Sequence, residues 1–348
     1  MLIEQLIKHN RSLSLIGMCK NAGKTTVLNK VIAEMNQARR RIGVTSIGRD
    51  GEGVDVVTRT RKPGIYVREG TLCVTAENLL RYCDASREII AATNIFTPLG
   101  EVVIFRTHSD GYVQLAGPSG TRQLRHIVNT LQGYGAELAI VDGAVSRKSL
   151  GAPSVCEAVI LCTGASYNPD IYTVVEDTAF IVSMLSLPMQ NAFTEDELVK
   201  VPGAMAIKTE LGDCAQLESG IALADALRSV GADAVGGIYC GIYFSGAVTD
   251  ALLEPIIAAG IRLDGVSLTV HDGTRMLLGR GCYDKITHLG ARFMAVHTIN
   301  LIAVTVNPVS AYGYNLDKAQ LQTLMQERVS IPVVDVNIPI GNVEGDSW

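Results

Sequence analysis

A chain of 348 residues, 47% hydrophobic and only 19% charged, with a mean hydropathy of +0.24, can bury large apolar strands and helices, which excludes extensive disorder. Its formal net charge of −5 and isoelectric point near 5.7 lack the basic surplus of a non-specific nucleic-acid binder, and no run approaches the ~18 apolar residues of a membrane span. The eight cysteines lie in apolar segments with no CxxC or CxxH spacing; they read as reduced thiols, giving a cytoplasmic expectation and none for zinc among them.

In chain order, residues 1–9 carry Leu2, Ile3, Leu6 and Ile7 on one helical face, interrupted by Glu4 and Lys8 in a way a signal peptide is not. Residues 12–17 read as a strand running into a glycine. Residues 25–37 place Val27, Leu28, Val31, Ile32 and Met35 at helical spacing, and 42–47 form a second apolar strand, completing a βαβ unit. The polar, glycine-rich stretch 50–70 reads as a loop and 71–75 as a strand, with helix-like segments over 76–83 and 87–93. Segments 101–107 and 112–116 flank an Asp-Gly turn and predict a hairpin. A helix over 121–132, in whose start Ser119 is the expected cap, precedes the buried strand 138–143 and a further strand 158–162. A helix over 170–185 closes this half.

Pro188 and Pro202 bracket a polar connection, which sets the expected boundary: residues 1–186 as a nucleotide-binding domain and 187–348 as a second α/β domain serving as a partner-binding module. The second half alternates strands near 204–207, 235–239, 266–270, 293–296, 301–306 and 333–336 with helices over 217–230, 248–259 and 316–327. The polar tail from Gly341 is expected to fray. The expected fold class is α/β, with a mostly parallel sheet followed by a second α/β domain.

The chemistry concentrates in Gly17-Met18-Cys19-Lys20-Asn21-Ala22-Gly23-Lys24-Thr25-Thr26, between a strand and a helix. That order is the phosphate-cradling P-loop grammar. Glycines let backbone N–H groups wrap anionic oxygens, Lys24 reaches the outer phosphates, Thr25 offers a hydroxyl to Mg²⁺, and the helix adds its positive end. The expected ligand is ATP or GTP with magnesium. Asp142 ends a buried strand where a magnesium-holding carboxylate belongs. Asp50, Glu52 and Asp55 follow the second strand; Asp50 is the candidate for a magnesium contact or for orienting the attacking water, an ordinary loop acid being the alternative. Arg147, Lys148 and the Gly117–Gly120 turn are weaker candidates, and His108 and His271, beside Asp-Gly turns, are read as turn residues.

The loop departs from the commonest pattern: Gly17 and Gly23 enclose five residues, and Met18 stands where the first glycine is usual. In this it resembles dethiobiotin synthetase and cobyric-acid synthase enzymes, while Lys20 to Thr26 is similar to the molybdopterin-guanine-dinucleotide accessory GTPases. Dethiobiotin synthetase relatives carry Glu-Gly-Ala-Gly-Gly where Asp142-Gly143-Ala144-Val145-Ser146 stands here, which puts the ligase chemistry in doubt. Together with the Asp142 to Ser149 stretch and Cys162-Thr163-Gly164-Ala165, the loop resembles the P-loop subunit of the lysine 5,6-aminomutase reactivating factor. That resemblance implies an ATPase acting with a second subunit on an adenosylcobalamin-dependent aminomutase. The competing expectations are a dethiobiotin-type ligase or kinase acting on a small carboxylate, and a scaffold that binds nucleotide without hydrolysing it. Neither a nucleic-acid nor a membrane partner is expected, and homodimerisation is the expected assembly.

Overall fold

The computed structural model describes residues 3–50, 64–143, 151–199, 205–229 and 238–336. The chain divides into two compact units, one of residues 1–179 with 300–348 and one of residues 180–299.

In the first unit, helix α1 (Ile3–Ile7) and strand β1 (Ser12–Gly17) lead into helix α2 (Lys24–Gln37). Then follow β2 (Ile42–Ser46), β3 (Gly48–Asp50), β4 (Ile65–Val67), β5 (Leu72–Ala76), β6 (Arg87–Thr97), β7 (Gly100–Thr107), β8 (Gly111–Val113) and β9 (Leu115–Gly117). Helix α3 (Thr121–Gly133), β10 (Leu138–Asp142), β11 (Ala158–Gly164) and helix α4 (Ile171–Leu185) come next, and the division between units falls inside α4. The second unit holds α5 (Glu195–Val199), β12 (Met205–Thr209), β13 (Cys214–Leu217), α6 (Gly220–Ser229), β14 (Tyr239–Phe244), β15 (Val248–Thr249), α7 (Asp250–Ala258), β16 (Ser267–Val270), β17 (Met276–Leu277), α8 (Arg280–His288) and β18 (Arg292–Ala295). The chain then re-enters the first unit with β19 (Leu301–Asn307), α9 (Lys318–Arg328) and β20 (Val333–Asp335).

The nine-stranded sheet of the first unit runs β20-β19-β11-β1-β10-β2-β5-β7-β6, parallel from β20 through β5 and antiparallel at β7 and β6. Strands β10 and β11 are buried at every residue, as strands of a parallel sheet covered on both faces must be. Helix α2 buries Val27, Leu28, Val31, Ile32 and Met35 against this sheet, each such side chain stabilising by about 1.5–3 kcal/mol. The second unit's sheet runs β13-β12-β14-β16-β18, with β14, β16 and β18 parallel and β12 antiparallel to β14.

Several expectations are corrected. The boundary at 186/187 does not divide the units: β19 pairs with β11 and β20 with β19, so the last 49 residues, 300–348, belong with the first unit. A strand's own pattern says that it is buried, not which sheet buries it. Residues 87–93 are strand, because the β-branched Ile89, Ile90 and Thr93 suit the pleated ladder with β7, closed by the turn at Pro98-Leu99. The expected hairpin of 101–107 with 112–116 does not form. Instead β8 pairs with β4 and β9 with β3, because both edges of β7 are taken, one by β5 and the other by β6. Residues 65–67 are strand rather than loop. The N-cap of α3 is Gly120, without a side-chain cap, so Ser119 does not play that part. Of the expected strand 235–239, residues 235–237 lie outside the described residues, and strand β14 begins at Tyr239. Arg147, Lys148, Glu52, Asp55 and the tail from Gly341 lie outside the described residues.

Helix α5 opens with a reciprocal capping box. The Thr194 amide donates to the Glu197 carboxylate at 2.8 Å, and the Glu197 amide donates to Thr194 Oγ1 at 3.3 Å. Lys208 Nζ donates to the same carboxylate at 2.8 Å. The Lys208 hydrogen bond and the Thr194 amide hold the Glu197 pKa below its ordinary 4.5. A depressed carboxyl pKa stabilises the fold above the unfolded value, and the gain is lost as pH falls through the folded value. Glu197→Gln is therefore expected to lower stability modestly at pH 7 and to match the parent below the folded pKa, a difference that urea titrations at both pH values will measure.

Candidate functional site

The carboxyl edge of the parallel strands is where open α/β sheets bind ligands, because loops there leave the strands in opposite directions. Gly17, Asp142 and Ser46 end three adjacent strands on this edge: β1 pairs with β10 in the register Leu15 to Asp142, and β10 with β2 in the register Asp142 to Ser46. On the other side of β1, Gly17 pairs with Cys162 of β11, and Gly164 of β11 with Asn307 of β19.

The loop between β1 and α2 is anchored by the Met18 amide, which donates to the Cys162 carbonyl at 2.9 Å. Asn21 (φ 62°) and Gly23 (φ 91°, the N-cap of α2) are left-handed, so the chain curls before it enters the helix. No side chain caps α2, and its first intrahelical bond runs from the Val27 amide to the Gly23 carbonyl at 2.9 Å. The preceding first-turn amides therefore face the loop, as at helix ends that receive anions. Lys24 folds back along Gly17: a Cβ there would lie 2.9 Å from Lys24 Nζ, and Nζ donates to the Cys19 carbonyl at 3.4 Å. The Asn21 side-chain nitrogen is buried without a hydrogen-bond partner, which in a protein interior costs about 1–3 kcal/mol. Lys20, Thr25 and Thr26 are half-buried, and Ala22 is packed into the core.

Asp142 is 3% exposed, and its carbonyl accepts from the Ile47 amide at 3.1 Å. Cys162 feels both neighbouring charges: burial pushes its thiol pKa up to about 11, the nearby Thr305 hydroxyl and the Lys24 cation oppose that rise, and the Asp142 carboxylate adds to it. Lys24 lies against Gly17 at the end of β1, and Asp142 ends β10, the strand paired with β1. Asp50 closes β3 with its backbone paired to Leu115 of β9. The described residues contain no group of three or more His, Cys, Asp or Glu able to hold a metal; a magnesium site needs only one or two side chains, with the remaining positions filled by water or phosphate oxygens. The residues at this edge fit an anion at the helix end and a hard cation beside it.

Cys19 has its thiol pKa raised to about 11 by burial, opposed by the Lys24 cation, so it is neutral at pH 7. All eight cysteines are free, with Cys214 exposed and Cys73, Cys83, Cys156 and Cys162 buried. Alkylation at pH 7 followed by intact-mass analysis is expected to label Cys214 first, Cys19 slowly and the four buried thiols only after unfolding. Labelling of Cys19 as fast as Cys214 would show that the loop is more open.

Sequence reasoning missed Asn307. Read by its sequence it is only the residue that follows the apolar run 301–306, yet a Cβ on Gly23 would lie 3.2 Å from Asn307 Cβ, so β19 delivers Asn307 to the glycine loop. Around it, the Ala165 amide donates to the Asn307 carbonyl at 2.8 Å, Tyr314 Oη donates to the Ala165 carbonyl at 2.6 Å, and the Ala311 amide donates to Ser166 Oγ at 3.1 Å. The signal available in the sequence was the apolar run 301–306 ending in Asn-Pro, which has the form of a buried parallel strand with a polar exit. Tyr167 donates to Asp177 at 2.9 Å; burial and that carboxylate push its pKa up to about 12.

Fold and edge together define a mixed α/β protein built on a large, mostly parallel sheet. Among the described residues, no helix is long and apolar enough to cross a membrane. The chain matches no family profile, no curated protein and no solved structure.

Proposed function

We propose that this chain is a magnesium-dependent nucleoside triphosphatase that binds ATP at residues 17–26 and uses it to drive a conformational cycle on a protein partner. The observation that carries the reading is the loop itself. Left-handed Asn21 and Gly23 open an uncapped helix, Lys24 arches over Gly17, and buried Asp142 ends the neighbouring strand. In this reading the loop amides and Lys24 hold the phosphates, while the Thr25 hydroxyl and Asp142 hold Mg²⁺ directly or through water. Asp50 is assigned the orientation of the attacking water. The proximity of Asn307 to Gly23 supports placing the nucleoside beside the 307–314 loop.

The partner we propose is an adenosylcobalamin-dependent aminomutase, on the resemblance of the Gly17–Thr26 and Asp142–Ser149 stretches to the reactivating-factor subunit. The second unit is the candidate partner-binding module. A remodelling factor needs two states that differ in affinity for its client, and contacts to the outermost phosphate supply that difference.

Calorimetry with ATP, with and without Mg²⁺, tests the nucleotide part, and phosphate release with and without an aminomutase tests the rest. Asp142→Asn is expected to retain weak ATP binding but to lose most of the Mg²⁺ enhancement. Absence of any heat with ATP would sink the reading, and turnover on a small carboxylate without a protein client would favour the ligase.

A further inference from the structure

The second unit has a carboxyl edge of its own, formed by the parallel strands β14, β16 and β18. Beyond the ends of β16 and β18 the two chains continue side by side: the Val296 amide donates to the Val270 carbonyl and the His297 amide to the His271 carbonyl, both at 2.9 Å. This ladder brings two imidazoles together, with ring centroids 4.7 Å apart and planes inclined at 61°.

The first imidazole is held from behind. Asp272, 2% exposed, accepts from the Thr274 amide at 2.9 Å and from the Thr274 hydroxyl, which fixes its carboxylate. Its second oxygen lies 3.0 Å from His271 Nδ1. A hydrogen bond from Nδ1–H to a carboxylate sets the tautomer and leaves Nε2 carrying a lone pair, and it makes that nitrogen a stronger donor to a metal. The His271 side chain is 39% exposed, and His297 is exposed with no hydrogen-bond partner for its ring among the described residues. Capping of the Gly273–Arg275 turn is already complete with Thr274, so the Asp272 to His271 contact is additional to that structural task.

We propose that His271 and His297, with Asp272 behind the first, form a binding site for a divalent transition-metal ion of the zinc or nickel class. Imidazole nitrogen suits these ions, whereas magnesium and calcium prefer oxygen. Two protein ligands leave the remaining positions to water or to an oxygen or nitrogen donor of a bound molecule. The site lies within the second unit and stands independently of the nucleotide reading.

The test uses the full chain, stripped with EDTA and held in excess Mg²⁺ so that hard-oxygen sites are occupied, then titrated calorimetrically with NiCl₂. One ion per chain is expected. His297→Ala and His271→Ala are each expected to weaken binding at least tenfold, and Asp272→Asn by about 10–100-fold. His288→Ala, at an exposed position ending α8, should leave the affinity unchanged. Because His297 is exposed, its replacement should not disturb folding, which the thermal midpoint will check. Wild-type nickel affinity in a folded His297→Ala variant, or no saturable binding by the parent, overturns the proposal.

Discussion

Lys24→Ala is expected to weaken MgATP binding by about 10–100-fold, as loss of a charged hydrogen-bond donor worth about 1.5–3 kcal/mol implies. Hydrolysis should fall further, by about 10²–10³-fold, because in the function proposed above the ammonium would stabilise charge that grows on the transferring phosphoryl group. The fold should survive. The hydrogen bond given by Lys24 Nζ runs to the Cys19 carbonyl at a long 3.4 Å, and the buried face of α2 is built from other residues. Alanine is also a better helix former than lysine at this first helical position. Lys24→Arg separates charge from shape: it keeps the cation but presents a planar fork in place of a point charge, and should restore part of the binding with little of the turnover. Calorimetry and phosphate release on the same preparations check both. Undiminished binding by Lys24→Ala would place the phosphates elsewhere.

Gly164→Ala is expected to destabilise the first unit by about 3 kcal/mol or more. Gly164 has φ 155°, a region that L residues rarely adopt, and an added Cβ would lie 2.1 Å from the Asn307 carbonyl oxygen and 2.8 Å from both the Asn307 amide nitrogen and its carbonyl carbon. All three atoms are backbone in the paired strand β19, so no side chain can swing aside. Strained backbone alone costs about 1–3 kcal/mol, and forced overpacking costs a similar amount. Relief requires β19 to move off β11, and β19 also delivers Asn307 to the glycine loop. The variant should therefore lose nucleotide affinity as well as stability. Gly281→Ala is the matched control: it lies in α8 with open space around it, where alanine should stabilise by about 0.5–1 kcal/mol. Urea unfolding of the three proteins measures the contrast. A Gly164→Ala protein as stable as its parent would mean that the β11 and β19 backbones are not so closely packed.

Much of this was legible before any tertiary contact. The strand, glycine loop and helix spanning residues 12–37 could be read because each part is locally determined: an apolar run, residues that accept left-handed backbone, and a helical period. Asp142 was legible for the same reason, as an acid closing an apolar run. The segment 87–97 was not, because Ile-Ile-Ala-Ala-Thr satisfies a short helix or an edge strand equally, and the ladder with β7 decides between them. His271 and His297 are 26 positions apart with nothing local to join them, and the β16 to β18 pairing makes them neighbours.

The amino-acid order by itself determined the strand, glycine loop and helix of residues 12–37, the acid that closes the strand at 142 and the α/β alternation, since these rest on local periods and backbone preferences. Only the tertiary structure decided that the chain leaves its first sheet after β11 and returns to it at β19, bringing Asn307 to Gly23. The physical reason is that burial is non-directional: an apolar strand is equally content in any sheet that excludes water from it, and its place is fixed only by the pairing and packing of residues far away in sequence.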